Sequence, residues 1–266
     1  MMSHGCWPKS CKDNVLATHS TFTNLGFLPH EEKSVVEPTQ ELTLLGFVLN
    51  SLTMTISLTP FRAQKLVNAC SMLLKMDKPS IRTVAQVIGL MVASFPAIPH
   101  AQLFYRALER DKTNALQQQK EDFEATMTYS SEAKSDLKWW VINASTMSKS
   151  VLLRFYELTI QSDASLLGWG AHCNNDHVGG QWTNAEAAHR INYLETIAAY
   201  FALQSFCKKS SDIHVRLELE NTTAVTYINN MGGNNSTACN RAARQLWLWC
   251  IEHNIWVSAV HIPGTE

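Results

Sequence analysis

The sequence lacks any apolar stretch near the roughly 20 residues that a membrane helix needs, so no segment reads as a span. Its opening, MMSHGCWPKSCKDN, lacks the apolar core of a signal peptide. An intracellular location, cytoplasmic or nuclear, is the expectation. No two of the seven cysteines form a C-x-x-C pair. Cys6, Cys11, Cys70, Cys173, Cys207, Cys239 and Cys250 are scattered and odd in number, which speaks against a zinc ribbon or a disulfide framework. His172, Cys173 and His177 crowd together without a partner pair at ligand spacing, so a structural role outweighs a metal one. Internal repeats are missing too. A net charge of −1 gives no global pull toward nucleic acid.

What is present is globular. The chain has 266 residues, 45% hydrophobic and 17% charged, enough for one large domain or two ordinary ones. Charge is unevenly spread. Between Phe61 and Lys112, eight basic residues (Arg62, Lys65, Lys75, Lys78, Arg82, Arg106, Arg110, Lys112) face three acids (Asp77, Glu109, Asp111). From Val151 to Glu266, ten acids outnumber seven basic residues. A basic half suits phosphates and an acidic half suits divalent cations. Two ordinary solvated surfaces would give the same pattern.

Periodicity divides the chain. Asp13 to Gly26 reads as a helix with Val15, Leu16, Phe22 and Leu25 recurring and Gly26 as its stop. LLGFVLNSLTMTISL alternates like a hairpin through Asn50-Ser51. Thr59-Pro60 opens a helix with a stripe of Leu66, Ala69, Cys70, Leu73 and Leu74. Ser80 opens another, with Val84, Val87, Ile88 and Met91 inward. Ala101 to Arg110 is a third. Residues 114–150 read as a linker or connection around a helix over Asp136 to Ala144. Strands then follow at Leu152 to Gln161, Gly168 to His172 and Val178 to Trp182. Helix Ile191 to Cys207, strand Ile213 to Leu219, helices Thr222 to Met231 and Thr237 to His253, and strand Ile255 to His261 complete the order. This β-β-β-α-β-α-α-β order predicts an α/β fold: a mixed five-stranded sheet, its first three strands antiparallel, with helices on its faces.

Three acids fall at informative places. Asp163 follows the first strand of this half, Glu195 lies in the first turn of its first helix, and Glu220 ends the fourth strand. Such strand ends converge where ligand sites form. Converging carboxylates repel unless a cation neutralises them, and hard oxygen donors suit Mg²⁺ or Mn²⁺. Taken singly, a turn residue, a helix-start acid and a cap neighbour explain each better than a metal does. Their joint placement favours the metal reading.

The same stretch resembles a family. Ser162-Asp163-Ala164-Ser165, Gly168-Trp169-Gly170-Ala171, Gly180-Gln181-Trp182, Ile191-Asn192-Tyr193-Leu194-Glu195, Glu220-Asn221-Thr222-Thr223, Met231-Gly232-Gly233 and His261-Ile262-Pro263-Gly264 look like the ribonuclease H domain of DIRS1-type retrotransposons, in order and at family spacing. Upstream, Leu25-Gly26-Phe27, Glu32-Lys33-Ser34, Pro38-Thr39-Gln40 and Leu44-Leu45-Gly46-Phe47 are similar to the end of a reverse-transcriptase palm. Lys33 matches the late palm lysine, and Leu45-Gly46 the turn that supports the primer end. Residues 59–113 resemble the helical thumb.

The resemblance implies an α+β N-terminal lobe: a palm remnant over 1–58, a thumb over 59–113 and a connection over 114–150. An RNase H-like domain follows over 151–266. The implied partner is an RNA–DNA hybrid or duplex, touched by Lys33, Arg62, Lys65, Lys75, Lys78 and Arg82. The implied chemistry is hydrolysis of the hybrid's RNA strand with Mg²⁺ or Mn²⁺ on Asp163, Glu195 and Glu220. Two departures count against strong activity. The third acid is normally aspartate, and here it is Glu220. The family's fourth acid would lie beyond Glu266, and the polymerase aspartates before Met1, so a fragment is expected, with cleavage weak or lost. A non-catalytic nucleic-acid binder is the first rival. A protein-interaction scaffold using Trp139 and Trp140 is the second. A recombinase finds no Arg, His and Tyr constellation.

Overall fold

The computed structural model describes residues 7–152 and 155–264. Helix α1 (Trp7–Asn24) starts before the expected Asp13 and stops at Gly26, whose φ of +86° is open to glycine at little cost. Leu16, Phe22 and Leu25 are exposed, so the expected apolar stripe covers no core.

Strands β1 (Glu41–Leu44), β2 (Phe47–Asn50) and β3 (Thr55–Leu58) form an antiparallel meander. The hairpin expected at Asn50-Ser51 is present, because Asn50 Oδ1 accepts from the Leu52 and Thr53 N–H groups and sets the turn. Strand β1, which the alternation pattern does not single out, joins it through Leu45-Gly46, both at positive φ.

Helix α2 (Pro60–Lys75) begins as expected, with Thr59 accepting from Arg62 N–H and Pro60 in the first turn. Helix α3 (Ile81–Val92) is capped by Ser80. Val84, Val87, Ile88 and Met91 all face inward. Helix α4 (Arg106–Gln118) follows. The 114–150 stretch departs from a simple linker. Helix α5 (Ser131–Asn143) buries Ala133, Asp136, Leu137 and Trp140 and packs on α2. Strand β4 (Ser148–Ser150) then adds to β3. Its polar composition misleads because the few apolar residues fall on one face.

The second part is a five-stranded mixed sheet. Strand β5 (Leu158–Ala164) pairs antiparallel with β6 (Gly168–Cys173), which pairs antiparallel with β7 (Asp176–Gln181). Short helix α6 (Asn184–Ala187), closed by a Thr183–Glu186 capping box, was not legible from periodicity. Helix α7 (Ile191–Cys207) lies against β5 and β6. Strand β8 (His214–Leu219), helices α8 (Thr222–Asn229) and α9 (Thr237–Glu252), and strand β9 (Trp256–His261) complete the chain. The sheet order is β7-β6-β5-β8-β9, with β8 parallel to both β5 and β9. The α/β expectation, with the first three strands antiparallel, is met. Strand β5 starts later than Leu152, and two residues of that expected strand, 153–154, lie outside the described residues.

The parts do not hang apart. One apolar cluster holds Leu66, Leu103 and Trp140 together with Ile160, Leu217 and Trp247. His100 meets Trp247 and Trp256 with ring centroids 5.5 and 5.1 Å apart. Among the described residues, no helix is long and apolar enough to cross a membrane.

Candidate acidic site and nucleic-acid face

Strand β5 alternates, with Ile160, Ser162 and Ala164 buried and Asp163 exposed near its end. Asp163 therefore sits inside the strand and not just after it. Glu195 is the fifth residue of α7, in its second turn, not its first. It is 5% exposed, and its Oε2 has no hydrogen-bond partner. Glu220 directly follows β8 and is exposed.

The β5–β8 register brings Ser162 opposite Leu219, so Asp163 and Glu220 leave adjacent parallel strands at the same end. A clasp sets the third element. Asn221 Nδ2 donates to Asn192 Oδ1 at 2.9 Å, while Asn221 Oδ1 caps α8 by accepting from Ala224 N–H. This ties the start of α7 to the end of β8.

Burial pushes the Glu195 carboxyl up to about 8, and the charges of Asp163 and Glu220 push the same way. The electrostatics therefore place all three in one neighbourhood. Yet among the described residues no three His, Cys, Asp or Glu groups converge tightly enough for one ion. A hydrogen bond with the Asp163 side chain raises the Glu195 carboxyl further, so these two acids are in contact. The donor chemistry fits a divalent cation: hard oxygens, one of them buried and unpartnered. His172 and His177 have ring centroids 5.6 Å apart on neighbouring strands, while Cys173 is buried.

The expected basic contacts divide sharply. Arg62 is spent inside the fold. Its Nη1 donates to Leu45 O at 2.9 Å, its Nη2 donates to Ala93 O at 2.8 Å, and the guanidinium lies 4.5 Å over Phe47. Arg82 pairs with Glu124 and lies over Phe123. Arg106, Arg110 and Lys112 also have internal partners. Three of the eight basic residues are thus held in ion pairs and two more by backbone carbonyls, which a count along the sequence cannot show. Lys65, Lys75 and Lys78 are exposed and form no ion pair among the described residues. Lys33 is exposed and ends a 3-10 turn, Glu31–Lys33.

The aromatic pair offered for a scaffold is not an exposed surface. Trp140 is fully buried, with Nε1 donating to Phe104 O, and Trp139 stacks on Phe104 at 3.9 Å.

No family model matches the sequence, and no curated protein matches it. Solved structures do. The chain is similar over 96% of its length to a foamy viral protease-reverse transcriptase in complex with RNA/DNA hybrid, at 13% identity and a TM-score of 0.42, covering 35% of that chain. A foamy viral protease-reverse transcriptase in complex with dsDNA matches over 95%, at 13% identity and a TM-score of 0.41, with 52% of it covered. The chain thus spans about half or less of those proteins. Ribonuclease H1 from the archaeon Halobacterium salinarum matches 40% of this chain and 85% of its own, at 15% identity and a TM-score of 0.33. Likeness at this level does not bear on activity.

Proposed function

We propose that the chain is a reverse-transcriptase/ribonuclease H-like fragment of DIRS1 type that binds RNA–DNA hybrid and cleaves its RNA strand weakly. Asp163, Glu195 and Glu220 would hold Mg²⁺ or Mn²⁺. The observation that carries this reading is Glu195: a buried carboxyl with an unpartnered oxygen, raised by that burial first and then by Asp163 and Glu220 beside it. Burying a carboxyl in that way costs stability unless something uses it.

When bound, the ions would activate a water and stabilise the leaving oxygen. The chain's own residues supply the rest. Asn192 and Asn221 fix the helix carrying Glu195 against the strand end carrying Glu220. Lys65, Lys75 and Lys78 supply a sequence-independent hold on backbone phosphates. Weak turnover follows from Glu220. Its extra methylene displaces a carboxylate by roughly a bond length, and misplacement near 1 Å costs about 100-fold.

The test is cleavage of a labelled hybrid across Mg²⁺ and Mn²⁺ titrations. Slow, metal-dependent cleavage, favouring Mn²⁺ and lost in Asp163→Asn and Glu195→Gln, is the expected result. Hybrid binding with no cleavage at any metal concentration would leave the non-catalytic binder, which the exposed lysines favour. Cleavage that survives Asp163→Asn would overturn the site assignment.

A further inference from the structure

A second charged cavity lies where the helical lobe meets the sheet lobe. It measures about 100 Å³ and is lined by Arg106, Arg110, Thr113 and Asn114 of α4, and by Gly233, Asn234, Thr237 and Asn240 near the start of α9. No carboxylate and no apolar side chain lines it. Water takes about 30 Å³ in the liquid, so the space fits one compact group and not a nucleoside.

Its donors are only partly used. Arg106 Nη2 donates to Asn230 O at 3.0 Å, which fixes the side chain across the junction. Its Nε is buried with no partner. Asn240 is 6% exposed. Its Oδ1 accepts from Gly233 N–H at 3.1 Å, and its Nδ2 makes no hydrogen bond to any described residue. A buried donor left without its hydrogen bond costs about 1–3 kcal/mol, and Arg106 Nε is such a donor beside this cavity, while Asn240 offers a second unpaired amide donor on its lining. Arg110 is steadied by Glu132 at 2.8 Å and Asp111 at 3.9 Å, neither of which lines the cavity. Helix α9 points its N-terminus at the same place, adding partial positive charge.

We propose that this notch binds one backbone phosphate of the duplex. The inference rests on the nucleic-acid reading above and extends it. Two arginines come from α4 and the remaining donors from the sheet lobe, so the phosphate is held by both lobes at once. Helix α8, of eight residues and so about 12 Å long, leads from Glu220 to the notch. A duplex seated here is thereby registered relative to the acidic site.

Asn114→Asp is the most informative variant. Asn114 is exposed, so the fold survives, and the change places a carboxylate in the notch. Arg106→Gln is the second variant and Asn114→Ala the control. Binding of a labelled hybrid is followed against salt in the full chain, in EDTA, where hydrolysis plays no part. The two variants should weaken binding about tenfold and lower the salt slope by about one, whereas Asn114→Ala changes neither. Wild-type affinity and slope in both would overturn the proposal. If orthophosphate alone shifts the Gly233 amide resonance while duplex binding ignores the variants, the notch takes free phosphate and the proposal also fails. Because metal is absent throughout, loss of cleavage cannot imitate either result.

Discussion

Arg244 of α9 reaches into the helical lobe and donates through Nη2 to Asp136 Oδ1 of α5 at 2.6 Å. Its Nη1 donates to Leu103 O at 2.7 Å, and its Nε lies 3.5 Å from Glu132 Oε1. Asp136 is 1% exposed, and burial pushes its carboxyl up to about 6 even though Arg244 pulls it down. The pair is buried and charged, and it bridges elements more than 100 residues apart in the chain.

Arg244→Met should therefore cost about 3–5 kcal/mol at pH 8, since it strands a buried carboxylate. The loss should shrink at pH 5, where Asp136 accepts a proton. Adding Asp136→Leu should recover most of it. Urea unfolding at both pH values is the measurement. An equal, sub-kilocalorie loss at both would show that the pair does not join the lobes.

This junction was not legible in the sequence. Arg244 and Asp136 carry no periodic or motif signal, and the helix read over Asp136 to Ala144 gives no sign in sequence that it packs on α2. The sheet lobe was legible because its apolar pattern and turn residues agree with each other, down to the bounds of α7. The nearness of Asp163, Glu195 and Glu220 was legible for a different reason: element order alone brings the ends of β5 and β8 and the start of α7 together, although each position also has an ordinary structural role. The basic face was over-read. Whether Arg62 faces solvent or two carbonyls depends on α2 packing against the Leu45 turn, which a charge count does not contain.

Glu195 makes the fold sensitive to pH. Its carboxyl titrates near 4.5 unfolded and is raised to about 8 in the fold. The folded state therefore holds a proton that the unfolded chain has released. Its stabilising contribution is full below about pH 4.5 and is lost as pH rises through about 8. Thermal melts in EDTA should show falling stability across that window, and Glu195→Gln should flatten the fall. Mg²⁺ or Mn²⁺ should raise the melting temperature more at pH 8 than at pH 6. A wild-type profile matching that of Glu195→Gln would refute the assignment.

The lysines and Arg62 should separate in one experiment. Neutralising Lys65, Lys75 and Lys78 to Gln should weaken hybrid and duplex DNA binding alike and reduce the salt slope by about 0.9 for each phosphate no longer neutralised. Arg62→Gln should leave the slope unchanged and destabilise the fold by about 1–3 kcal/mol, because the Leu45 and Ala93 carbonyls lose their donor. A lowered slope for Arg62→Gln, with stability intact, would return that residue to the binding face.

Glu220 and Gly264 should prove coupled. A Cβ built at Gly264 would lie 2.7 Å from Glu220 Oε2, closer than real contacts allow. The clash is with the end of a flexible side chain, so Gly264→Ala should move the carboxylate and leave the fold in place. Since ligand groups act through placement within a fraction of an ångström, the Mg²⁺ concentration needed for cleavage should rise several-fold. Glu220→Asp withdraws the carboxylate by about one bond length, away from residue 264. It should bring a slight gain in cleavage by itself, and it should also make Gly264→Ala silent. The four proteins form a double-mutant cycle read in metal requirement. If the two changes simply add, the residue 264 backbone does not limit where the Glu220 carboxylate can sit, and the extra methylene is not held by that contact.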